Sequence, residues 1–176
     1  IEFINPLNAS LAKPKPLFIM QVTVISGLFA ILFYLMGSVF QGMNFKSNKE
    51  TRRQVFIFGG LAILVHAISA YGVIRHNDGF HFGLFEISTL ITLSISLLVL
   101  ISSLRKPLQV LFLGLFPLAA ISIVASLVIR SDYPPTNMSL TLATHVLISI
   151  LAYSFITIAA LQAGFLAYQD HQLKHG

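Results

Sequence analysis

The stretch Leu142–Gly176, LATHVLISILAYSFITIAALQAGFLAYQDHQLKHG, decides the fold. Between Tyr133 and Gln169 there is no Asp, Glu, Lys or Arg, and the run is dominated by Leu, Ile, Ala, Phe and Tyr. About 20 such residues in a helix cross ~30 Å of hydrocarbon. The run therefore predicts a membrane-spanning helix over about 139–167, followed by a polar tail. One residue inside it is out of keeping with lipid. His145 is titratable and able to ligate a metal, and it stands about six residues into the span.

Four more blocks read the same way. No charged residue occurs at 16–45, 54–74, 87–104 or 107–129, which predicts further spans at about 17–41, 54–74, 84–104 and 108–130. Irregular backbone facing lipid would leave amide groups unpaired, so each span is a helix. The blocks do not alternate as the strands of a membrane barrel do. The fold class is an all-α integral membrane protein, a bundle of five transmembrane helices. The chain of 176 residues is 56% hydrophobic and 10% charged, with a mean hydropathy of +0.84. A soluble domain carries about a quarter charged residues, so no soluble domain is expected. The division is a short outer segment 1–16, a single membrane domain 17–168 and a cytoplasmic tail 169–176.

Basic residues orient the bundle. Lys46, Lys49, Arg52, Arg53, Arg105, Lys106 and Lys174 fall on one side, and Lys13, Lys15, Arg75 and Arg130 on the other. The positive-inside rule puts the amino terminus outside and the carboxyl terminus in the cytoplasm. The net charge of +5 reflects this loop bias and does not imply a nucleic-acid partner, because no basic stripe with interleaved aromatics exists outside the spans. There is no cysteine, which excludes thiol redox chemistry and thiolate ligation by this chain. The first apolar block is too long for a cleavable signal peptide. No phosphate loop, serine triad or HExxH helix occurs, so an enzyme is not expected.

The informative residues are polar ones inside the spans. His66, in LAILVHAISAY, lies eight residues before the end of the second span. At 1.5 Å per residue His66 and His145 lie roughly 12 Å and 9 Å below the outer boundary, nearly one layer. Small residues accompany both. Gly59, Ala62, Ser69 and Ala70 share a face with His66, and Ser149, Ala152, Tyr153, Ala160 and Gly164 share one with His145. Such stripes predict faces turned toward neighbouring helices. An intramembrane histidine can tie helices together, ligate a metal or heme iron, or relay protons. Spacing alone leaves these three open.

The stretch THVLISILAYSFITIAALQAGFLAYQDHQLK resembles the signature helix of the bacterial cytochrome c assembly (Ccs/Ccm-type) membrane family, in its HemX-like and YpjD-like inner-membrane branch. In that branch a histidine opens the helix, an AY pair follows, and AALQA precedes a polar exit, as here from His145 to Leu173. LAILVHAISAYGVI resembles the branch's second helix, and FGLFEISTLITLSISLLVLI its third. The likeness spans residues 17–174. It implies a heme-handling protein of the bacterial inner membrane, concerned with cytochrome c assembly or heme transport. On that resemblance His66 and His145 are candidate ligands of a non-covalent b-type heme. It also implies that further helices follow those seen here. The chain has no Trp, so the tryptophan-rich loop of the maturation synthases is missing. The competing expectation is a non-catalytic accessory or scaffold subunit, linked to metal-ion homeostasis, whose histidines only join helices. The expected partners are the lipid bilayer, heme and other membrane subunits.

The remaining polar residues have plainer readings. Glu86, near the outer end of the third span, is expected to be hydrated at the interface. Ser88, Thr92, Ser96 and Ser103 are expected to bond back to their own helix and pack. His76 and His81, flanking NDGF, are expected to be solvated in an outer loop. Tyr71, Tyr133 and Tyr168 fit an aromatic belt.

Overall fold

The computed structural model describes residues 17–43, 49–76, 79–105, 110–129 and 139–175. Five helices dominate: α1 (Leu17–Met43), α2 (Lys49–Ile74), α3 (Leu84–Arg105), α4 (Leu111–Val128) and α5 (Leu140–His175). All five are long and apolar enough to cross a membrane. The protein is an all-α, multi-pass membrane bundle. The expected outer segment 1–16 lies outside the described residues.

The element boundaries depart from the sequence reading at two places. The helix α2 starts at Lys49 rather than near 54, because KETRRQ consists largely of good helix formers and contains no breaker. The helix α5 runs to His175, so the tail expected at 169–176 is mostly a helical extension of the span. No Pro or Gly interrupts it after Gly164, and the Asp170–Lys174 ion pair joins successive turns at 2.7 Å. Between α2 and α3 the chain forms a two-stranded antiparallel ribbon, β1 (Arg75–His76) and β2 (Gly79–Phe80). Its Gly79 has φ 139°, a conformation that side chains disfavour and glycine accepts.

Helices α1, α2, α3 and α4 form a closed ring, with α1 on α2 and α4, and α3 on α2 and α4. The helix α5 lies outside this ring and meets it chiefly through α3. The core of the ring is aromatic and aliphatic: Tyr34, Phe112 and Phe116 with Ile95, Val99, Leu115 and Ile123, all essentially buried. Phe116 wedges between α1 and α2 because both helices present glycine to it. A β-carbon at Gly37 or Gly59 would stand 2.6 or 2.9 Å from its ring. Around the ring Phe18, Leu28, Leu64, Ile101 and Ile121 are more than half exposed. In water such a surface would drive aggregation, whereas in a bilayer it meets lipid.

Candidate functional site

The α2 face expected to pack does so. Gly59, Ala62, His66, Ser69 and Ala70 are all buried, and His66 is 0% exposed. Its ring is held from two sides. Nδ1 lies 3.1 Å from the Tyr34 hydroxyl of α1, and Nε2 lies 2.8 Å from Thr89 Oγ1 of α3. A neutral imidazole has one N–H donor and one acceptor nitrogen, so two hydroxyls that each donate or accept satisfy it in either tautomer. The Tyr34 ring meets the imidazole edge-on, at 87° and 5.7 Å between centroids. Three helices are thus joined through one side chain.

Further hydroxyls extend this polar layer. Thr92 Oγ1 and Ser122 Oγ are 2.6 Å apart and link α3 to α4, while Ser69 Oγ donates to the Thr23 carbonyl at 3.0 Å and links α2 to α1. The expected back-bonding occurs at Ser88, which donates to the Phe85 carbonyl, and at Thr92, which donates to the Ser88 and Thr89 carbonyls. Glu86 departs from expectation. It is only 6% exposed, and its Oε2 has no hydrogen-bond partner among the described residues. The His81 amide donates to the Ile74 carbonyl at 2.9 Å and extends the ribbon pairing between α2 and α3. His81 is half-buried and engaged rather than free in solvent. The side chain of His76 lies outside the described residues.

On α5 the facing assignment is overturned. His145 is exposed, as are Ala152, Tyr153, Ala160 and Gly164, while Ser149 is half-buried. The packed face carries Ile150 and Ser154, with Ile158, Leu161 and Phe165 against the core. At about 100° per residue, His145 lies roughly 140–180° around the helix from Ile150 and Ser154. Small residues permit close approach without requiring it, and here larger aliphatic residues make the contact. His145 makes no hydrogen bond among the described residues.

The two histidines offered as heme ligands, at one iron or at separate ones, are not brought together. His66 lies inside the four-helix ring, and His145 points away from it. The expectation of His66 as an iron ligand does not fit this arrangement, because the ring is buried and both of its nitrogens are hydrogen-bonded. His145 keeps an accessible imidazole. No group of three or more His, Cys, Asp or Glu able to hold a metal ion forms among the described residues. An apolar groove of about 590 Å3 opens between α4 and α5, lined by Val110, Leu113, Leu161, Gly164, Phe165 and Tyr168, and no histidine reaches it. The chain matches no family model, no curated protein and no solved structure.

Tyr34 and Thr89 are the residues that sequence reasoning missed. Their signal was present but weak. Tyr34 lies inside a predicted span rather than at its boundary, as Tyr153 also does, and Thr89 continues the spacing of Glu86, Thr92 and Ser96.

Proposed function

We propose that this is a heme-handling protein of the bacterial inner membrane, related to cytochrome c assembly, and that His145 is the imidazole it offers to heme iron. The observation that carries the reading is the setting of His145. An ionisable side chain within a transmembrane span almost always faces protein, a water-filled cavity or a ligand. Here it faces none of the described residues. Ser149 and Ala152 beside it are too small to crowd a flat macrocycle. The resemblance of residues 145–173 to the cytochrome c assembly signature supplies the identity of that ligand. A heme held there by His145 would supply an iron centre whose potential its ligand and surroundings would tune. The remaining residues of this chain position the imidazole: the packed face of α5 fixes the helix on α3 and thereby fixes which way His145 points. On the same reading the amino-terminal end of α1 lies outside and α5 ends in the cytoplasm, as the seven-to-four division of basic residues supports.

A second reading, an accessory or scaffold subunit tied to metal-ion homeostasis, is favoured by one observation. His66 spends both nitrogens on joining α1, α2 and α3. Expression with heme supplementation separates the two. The heme reading expects a Soret band that shifts on reduction, moves or vanishes in His145→Ala, and keeps its position in His66→Gln. A colourless but folded wild-type protein leaves the scaffold reading.

A further inference from the structure

The groove between α4 and α5 takes no part in the reading built on His145. Helix α5 meets the ring chiefly through α3, so it stands off from the first turns of α4. The two helices touch at Gly114, where a β-carbon would lie 3.8 Å from the Leu161 and Phe165 side chains. Beside this contact the groove runs along α5 as far as Gln169, with Val110 and Leu113 as its other wall. It is deep where α5 is thin: a β-carbon at Gly164 would meet nothing within 4 Å. Its body is apolar and its end is not, because Tyr168 and Gln169 bring a hydroxyl and an amide there.

An apolar groove in a bilayer is filled, since an empty one forfeits the contacts of its lining. Volume separates the occupants. A helix with its side chains is about 10–12 Å across, so one laid along nine residues of α5 needs roughly 1,100 Å3 or more. The groove holds about 590 Å3, half of that, which suits a hydrocarbon tail rather than a helix of a second chain. Charge narrows the choice further. The groove opens at the end of the bundle where α2 and α4 begin and α3 and α5 finish. In sequence order that end carries Lys46, Lys49, Arg52, Arg53, Arg105, Lys106 and Lys174 against only Glu50 and Asp170. The opposite end balances four basic residues against Glu2, Asp78, Glu86 and Asp132. The whole net charge of +5 therefore belongs to the end at which the groove opens.

We infer that this groove binds one anionic phospholipid, with an acyl chain along Leu113, Leu161 and Phe165 and the headgroup at Tyr168 and Gln169. The Tyr168 hydroxyl accepts from Gln172 Nε2 at 3.2 Å and keeps its own proton to donate to a phosphate oxygen. Basic residues close to a membrane surface each favour anionic lipid, and here they select the headgroup while the groove selects the tail. The bound lipid fills the wedge that α5 leaves by leaning on α3. The inference is independent of the heme reading, which rests on His145 toward the other end of α5.

The test uses tryptophan fluorescence of the full chain, which has no tryptophan of its own. Phe165→Trp places a reporter on the groove wall, and Val39→Trp, at a site 60% exposed on α1, reports ordinary lipid. Both are reconstituted in brominated phosphatidylcholine, which quenches tryptophan, and titrated with unbrominated phosphatidylglycerol. Quenching at Val39→Trp should fade with the bulk lipid ratio. At Phe165→Trp half of it should be lost at a phosphatidylglycerol fraction about fivefold lower, the preference that one basic residue near anionic lipid supplies. Adding Gly164→Leu, which fills the groove, should abolish that preference. Matching curves for the two reporters, or a preference that survives Gly164→Leu, overturns the site. So does a Phe165→Trp signal that no brominated lipid quenches, because protein then covers the groove. Should Phe165→Trp fail to fold, Leu161→Trp on the same wall decides by the same outcomes.

Discussion

The Nδ1 atom of His66 and the hydroxyl of Tyr34 lie 3.1 Å apart, and each belongs to a fully buried side chain. This bond ties the two helices that pack most extensively, α1 and α2, in a place where water cannot compete for either partner.

Tyr34→Phe tests the bond with almost no change of shape. It removes one oxygen and leaves a ring nitrogen without its partner. Interhelical hydrogen bonds in membranes are worth ~0.6 kcal/mol on average and up to about 1.7, and an orphaned buried group adds to the loss. The expected cost is about 1–2 kcal/mol, read as lower resistance to denaturant in mild detergent. In a double-mutant cycle His66→Gln should cost less in the Tyr34→Phe background than alone, and simple additivity would remove the bond from the account.

Much of this fold was legible because lipid imposes a coarse rule. Uncharged blocks of sufficient length predicted five spans, and five helices occur over them, with α2 starting five residues early and α5 running eight residues further. The buried face of α2 was legible too, since its small residues and His66 coincide on one stripe. The face of α5 was not. A stripe such as His145, Ala152 and Ala160 states only that a partner is permitted to approach closely. Whether one does is settled by the shape of the ring, which receives Ile150, Ser154 and Phe165 instead. Glu86 was misread for a related reason: sequence depth placed it near an interface, but its burial depends on tertiary packing, which position along one helix does not state.

The glycines allow a paired test of packing. Gly37→Leu places a side chain where the Phe116 ring already stands, with the first added carbon 2.6 Å from it. Overpacking of this kind costs about 1–3 kcal/mol and often more. At Gly164 a β-carbon meets nothing within 4 Å, and the position borders the open groove between α4 and α5. The expected outcome is loss of thermal stability for the first and near wild-type behaviour for the second. Equal losses would contradict the facing of α5.

Orientation is tested by single cysteines in a chain that has none of its own. Ser47→Cys and Asn77→Cys lie beyond opposite ends of α2. An impermeant thiol reagent applied to intact cells should label Asn77→Cys and spare Ser47→Cys. The reverse pattern would invert the proposed topology while leaving the bundle unchanged.

The two histidines should separate cleanly when each is replaced by leucine. His66→Leu leaves the Tyr34 and Thr89 hydroxyls facing a hydrocarbon, so a loss of about 2–4 kcal/mol is expected from two orphaned groups. His145→Leu removes a polar group from the lipid-facing side, and the apoprotein should change by no more than about 0.5 kcal/mol. Added heme then distinguishes the functional readings through linkage. A ligand that binds only the folded state at about 100 times its Kd stabilises it by ~2.7 kcal/mol. Wild-type protein should gain thermal stability with heme concentration, and His145→Leu should lose that gain while keeping its baseline. A gain that survives His145→Leu places any heme elsewhere, and no gain in the wild type removes the reason for giving His145 a heme to hold.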